Sequence, residues 1–309
     1  MTAIYERKQC FLTLPEWRDI AFDKTELDFD DCLNTDLVRY MAELPSILRD
    51  LKDLDNQFAG LPIDEVLPFD MTGNSTGDEA LSDTSCCPSL DYSPNNYDNL
   101  DFLNDLHPVE VTYPTEAPQS SLSPARLALL SRVQSLKDSL YELGIHLNEK
   151  LANGSTAVEV PSIEENSPVS TTYHFTSWRD MTGYSCFWSM LILMNKVMMR
   201  LLPPFDPIIY SLRAECQSVA HEICKTWEDA WESKPIGALH TGLSFVVAYE
   251  FCKPNAQDWI LGSMNSLLEY QMVDAFRWSD EVIAMMSGKL AGEGPDLVFS
   301  NVGVSKETQ

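Results

Sequence analysis

Basic residues are scarce in this chain. Its 309 residues hold 21 Lys and Arg against 47 Asp and Glu, a formal charge of −26. From Asp53 to Ala125 there is no Lys or Arg at all, while fourteen carboxylates fall in those 73 positions. That window carries −14, and the remaining −12 is spread over the other 236 residues. A single evenly charged globule is thereby excluded. So is strong non-specific binding to DNA, RNA or an anionic membrane surface, because affinity for phosphate needs clustered Lys and Arg.

Other absences narrow the chemistry. No apolar run approaches the roughly 20 residues a membrane helix needs; Phe187 to Met194 and Ile236 to Cys252 read instead as buried core helices. The N-terminus has a charge pair but no apolar stretch behind it, so it is not read as a secretory signal. Eight cysteines without such a signal point to reduced thiols in the cytosol or nucleus. None of them forms a Cys-x-x-Cys pair, the spacing that lets two thiolates chelate zinc from one turn. Cys216, His221 and Cys224 share a predicted helix but lie about 140° and then about 60° apart around it. They are better explained as small apolar core residues than as ligands, and no metal or cofactor is expected. There is no Gly-x-Ser-x-Gly, phosphate loop or dinucleotide fingerprint, which leaves nucleophilic and nucleotide chemistry without a carrier.

One acidic motif does fit an enzyme. Asp30, Asp31 and Asn34 match the carboxylate run with which helical terpene cyclases hold magnesium against a diphosphate. No second magnesium element follows downstream, and carboxylates at a helix start are equally explained by the dipole. A magnesium-dependent cyclase is therefore an alternative reading, and a non-nuclear ligand-sensing scaffold is another.

The period of the apolar residues is helical almost throughout, and the fold expected is all-α. Residues 1–55 carry an extended or turn segment around Pro15, Trp17 and Phe22, then a helix over 36–54 that Pro45 should split or kink. Residues 56–122 combine Pro, Ser, Asn and Asp with charge of one sign, and are expected to be a disordered acidic arm. A helical regulatory domain follows over 123–295, and 296–309 reads as a flexible tail. Within that domain, helices are predicted over 124–151, 183–202, 206–232, 236–250, 257–272 and 274–290, with no clean strand. Leu127, Leu130, Val133, Leu136 and Leu140 form a stripe along the first of these. A core helix explains the stripe most simply, and a surface for a second helix is the other use for it.

Inside the arm, Tyr97, Leu100, Phe102, Leu103 and Leu106 alternate with carboxylates. Acidic-hydrophobic mixing of this kind is the composition of amphipathic activation segments, whose charge keeps aromatics exposed for a coactivator groove.

The segments flanking the arm resemble a known family. Phe11 to Ile20 (FLTLPEWRDI), and Leu37 to Asp55 with the run AELPSILRDL, are similar to the region after the DNA-binding finger of fungal binuclear zinc-cluster transcription factors. Tyr184 to Leu193, Ala220 to Lys225, and the stretch from Ala248 through Asp258, Trp259 and Ile260 look like that family's helical regulatory region. The family's six-cysteine finger has no counterpart, since only Cys10 precedes the matching region and no basic run follows it. The resemblance implies a nuclear transcription regulator without its own finger, of the kind that controls secondary-metabolite gene clusters. It implies protein partners: a coactivator, and a DNA-binding paralogue that could pair through the 124–151 helix.

Overall fold

The computed structural model describes residues 8–59, 122–234, 236–273 and 276–293. Helices take 72% of these and strands 5%, so the fold is all-α as the periodicity requires. The acidic arm, apart from residues 56–59 and 122, and the whole C-terminal tail lie outside the described residues.

A 3-10 turn at Phe11–Thr13 leads into α1, Pro15–Ala21, with Pro15 in the first turn where its missing N–H costs nothing. Next comes α2, Phe29–Ala59. It starts earlier than the apolar period predicts and runs past Asp55. Pro45 does not split it. An interior proline costs about 3 kcal/mol, but Leu37, Leu44, Ile47, Leu48 and Leu51 on this helix are all buried. At roughly 1.5–3 kcal/mol per buried side chain, that packing outweighs the lost hydrogen bond.

Helix α3, Pro124–Ala152, begins with Ser123 accepting from the Arg126 N–H and lies against α2. The next helix, α4, spans Trp178–Leu201 and is buried over most of its circumference. Gly144 lets α3 approach it, since a Cβ there would stand 2.7 Å from Cζ of Phe187. There follow α5 (Ile208–Cys224), α6 (Trp227–Glu232), α7 (Ile236–Ala248), a 3-10 turn at Tyr249–Phe251, α8 (Pro254–Tyr270) and α9 (Asp280–Leu290); α5 and α7 lie against α4, and α6, α8 and α9 pack on α7. Residues from α2 through α9 share one apolar core.

Around Pro15 and Trp17, where an extended or turn segment is expected, the chain forms the helix α1 instead. Two more departures from the sequence reading are linked. The chain contains a two-stranded antiparallel hairpin, β1 (Ala157–Pro161) and β2 (Thr171–Phe175), with Val158 opposite His174 and Val160 opposite Thr172. The helix expected over 206–232 is interrupted at Lys225 and Thr226. One cause explains both. The Lys225 carbonyl accepts from the Tyr173 N–H at 2.9 Å and the Thr172 hydroxyl at 2.6 Å, so it is spent on the hairpin. The Thr226 hydroxyl then closes the turn on the Ile223 carbonyl at 2.8 Å.

Candidate functional site

The residues predicted to bind a coactivator, Tyr97, Leu100, Phe102, Leu103 and Leu106, lie outside the described residues. What is described is the frame from which the arm springs. The C-terminal part of α2 and the N-terminal part of α3 lie side by side. Asp50, Asp53, Leu54 and Gln57 on one face Ala125, Ala128, Leu129 and Arg132 on the other, across a shallow groove of about 380 Å³. Arg132 fastens the two helices, with one guanidinium nitrogen 2.8 Å from Asp50 and another 3.1 Å from Glu43. Both ends of the acidic segment are thus rooted at one edge of the helical body.

The leucine stripe on α3 is turned mainly inward. Val133 and Leu140 are fully buried, Leu130 and Leu136 pack partly against the core, and Leu127 is exposed. A second helix could reach Val133 and Leu140 only by opening the core. The stripe is therefore a core seam, and among those five residues only Leu127 offers free surface.

The carboxylate motif is also placed. Asp30 and Asp31 are in the exposed first turn of α2, and Asn34 is exposed one turn on. Asp30 pairs with Lys150, and Asp28 accepts from the Asp31 N–H at 2.8 Å, a helix cap. The neighbouring cavity, lined by Leu33, Thr156, Gly183 and Tyr184 among others, holds about 20 Å³. That is room for one water and not for a diphosphate with metal ions.

Cys216 and Cys224 are buried on α5 while His221 is exposed, so the three do not converge. Burial pushes the Cys216 thiol up to about 12, which keeps it protonated and poor as a ligand. Among the described residues no group of three or more His, Cys, Asp or Glu side chains could hold a metal ion.

The sequence reading missed the buried lysines, three of which, Lys137, Lys196 and Lys225, pair with carboxylates. Lys137 of α3 donates to Glu215 of α5 at 2.9 Å, and Tyr141 donates to the other oxygen of that carboxylate at 2.7 Å. Lys196 of α4 reaches Glu250 in the 3-10 turn and Ser287 of α9. Lys225 lies 3.2 Å from both Glu222 and Glu159, and Tyr173 donates to Glu222. Lys196 and Lys225 are set among mainly apolar neighbours in sequence, which is the signal that could have marked them; Lys137, beside Ser135, Asp138 and Ser139, carries no such signal. These groups join elements across the core. With every carboxylate held by a cation, they are built for position and not for proton transfer.

The tyrosines in these clusters give the fold an alkaline limit. Burial first, and then the adjacent Glu215 and Glu222, push the Tyr141 and Tyr173 hydroxyls well above their ordinary range. Burial raises Tyr184 to about 12. A phenol raised in the folded state contributes stability that is complete below about pH 10, the unfolded value, and is lost as pH climbs beyond it. Tyrosinate absorbance across pH 9–12 should therefore show these three of the eleven tyrosines, together with Tyr249, whose hydroxyl burial and then Asp280 also push up, ionising only as the chain unfolds. All eleven titrating in one step near pH 10 would contradict this assignment.

No family model, curated protein or solved structure matches this chain.

Proposed function

We propose that this protein is a transcription regulator that acts through protein partners and does not read DNA itself. Its acidic segment engages a coactivator, and a DNA-binding paralogue supplies contact with the promoter. Control of a fungal secondary-metabolite gene cluster from the nucleus is the setting that the family resemblance favours.

The observation that carries this reading is the window from Asp53 to Ala125, without a single Lys or Arg, in which Tyr97, Leu100, Phe102, Leu103 and Leu106 are interleaved with carboxylates. Like charges keep such a segment from collapsing, and its apolar side chains stay available to a shallow groove. The arrangement of α2 and α3 is compatible with it, because the helix ends that flank the segment lie side by side. The resemblance of Phe11 to Ile20 and Tyr184 to Leu193 to the zinc-cluster regulators supports it from a separate part of the sequence.

The test is transcriptional. The full chain, fused to a foreign DNA-binding domain, should raise reporter output well above that of the domain alone. Replacing Phe102→Ala together with Leu103→Ala should return output to the baseline at equal protein level. A silent fusion, or an active one indifferent to the two substitutions, would remove the activation role.

A further inference from the structure

Trp231 and Tyr270 form the two walls of an open aromatic corner. Trp231 stands near the end of α6, and Tyr270 is the last residue of α8. Their ring centres are 6.1 Å apart and the ring planes cross at 64°. Trp227 stacks behind Trp231 at 5.2 Å and meets Trp259 of α8 edge-on, so the first wall is fixed to the core. Tyr270 is 47% exposed and leaves the corner open to solvent. Lys234 occupies it, with its ammonium 3.6 Å from the centre of the Trp231 ring and 5.4 Å from that of Tyr270. Among the described residues Lys234 makes no ion pair, although Glu232 is exposed two residues away. In a chain of charge −26, a lysine that rests on ring faces and not on a carboxylate marks those faces as a cation site. We propose that the Trp231–Tyr270 corner binds the trimethylammonium group of a methylated lysine on a basic peptide, with Lys234 as its resident stand-in.

The preference for a methylated cation follows from hydration. A lysine ammonium is compact and strongly hydrated, so it must give up water to lie on a ring. Three methyl groups spread the same charge over an apolar surface that donates no hydrogen bond. Such a group loses less on leaving water and keeps its attraction to the ring face. It can therefore displace Lys234, which has only the advantage of being tethered beside the site.

The rim fits the rest of such a ligand. Glu232 and Glu269, next in sequence to Trp231 and Tyr270, are exposed carboxylates suited to basic residues on either side of the methylated one. One oxygen of Glu269 already holds the exposed Arg277, at 3.1 Å, so this face accepts cations at its edge as well. Met272, two residues past Tyr270, is 87% exposed and left-handed at φ 58°, a conformation that favours glycine. The Met272 and Val273 amides close the end of α8 on the Glu269 and Leu268 carbonyls at 3.0 Å, which fixes that turn. A strained position thus carries a long apolar side chain where glycine would carry none. The corner owes nothing to the acidic arm, so it can hold or fail separately from the transcriptional reading.

Fluorescence anisotropy of a labelled peptide titrated with the full chain tests the assignment. The peptide carries one trimethyllysine between two arginines, and its unmethylated twin is the control. The methylated peptide should bind about fivefold more tightly, the ratio that a cation–π contact at a partly exposed site supports. Choline chloride should compete, whereas the uncharged alcohol with carbon in place of the choline nitrogen should not. Lys234→Ala, which removes the resident cation, should strengthen binding of the methylated peptide severalfold. Tyr270→Ala, at an exposed position, should erase the difference between the peptides while circular dichroism stays unchanged. Equal affinity for the two peptides, weaker binding in Lys234→Ala, or a preference that survives Tyr270→Ala would each overturn the proposal. So would capture by phosphatidylcholine vesicles without any preference for the methylated peptide, which would make the corner a site for lipid headgroups.

Discussion

Replacing Glu215→Ala should destabilise the fold by about 3–5 kcal/mol, the range for removing one partner of a buried ion pair. Glu215 is the shared acceptor of the Lys137 ammonium and the Tyr141 hydroxyl, and the lysine side chain is only 5% exposed. Without the carboxylate, a full positive charge would remain between α3 and α5 with no counter-ion, and a buried hydroxyl would lose its acceptor. Removing the charge and keeping the shape isolates the electrostatic part. Glu215→Gln still offers a carbonyl oxygen, so it should cost less than Glu215→Ala.

The pair being costly to break does not make it a net source of stability. Desolvating both ions offsets much of their attraction, and well-packed apolar replacements for buried ion pairs are often neutral or better. Lys137→Met with Glu215→Leu and Tyr141→Phe should thus recover most of the stability lost in Glu215→Ala. Chemical denaturation of the variants, read by far-ultraviolet circular dichroism, decides it. A further signature is specific to this geometry. The Tyr141 hydroxyl is held up by burial and then by Glu215, so its ionisation should move down toward ordinary tyrosine in Glu215→Gln. A Glu215→Ala loss below about 1 kcal/mol would mean that water reaches Lys137 and that the site is not dry.

These clusters also mark what the sequence could not reveal. The leucine stripe of α3 and the apolar face of α2 are legible because a 3.6-residue period survives in any packing arrangement. The break at Lys225 is not, because its cause is a carbonyl committed to a hairpin more than fifty residues earlier in the chain. The hairpin itself was missed because its strands, AVEVP and TTYHF, are five residues each and lack clean alternation. Val158 is exposed while Thr172 is buried, so the apolar pattern points to the wrong faces. Pro45 shows the converse error, in which a strong local rule yields to the burial of neighbouring leucines. The proposed activation segment rests on composition and charge alone, which owe nothing to core packing.

The hairpin's attachment supplies the other large expected effect. Trp188 of α4, 1% exposed, stacks on Tyr173 at 6.0 Å between ring centres and tilts against Tyr184 at 5.4 Å. Phe175 closes the group, 5.7 Å from both tyrosines. Trp188→Ala should cost about 3–5 kcal/mol, combining lost burial with the cavity left behind. The upper end is expected because the surrounding rings cannot slide into the hole. Tyr173 is tethered by its hydroxyl to Glu222, and Tyr184 by its own to the Leu147 carbonyl at 2.6 Å. Trp188→Phe keeps a ring in place and should lose less than half as much. Hydrogen exchange then separates local from global loosening. With the stack gone, the Tyr173 amide, bonded to the Lys225 carbonyl, should exchange far sooner than the amides in the middle of α4. Equal acceleration at both places would show the hairpin to be an integral part of the core, and a Trp188→Ala cost under about 1 kcal/mol would show that the rings are free to collapse after all.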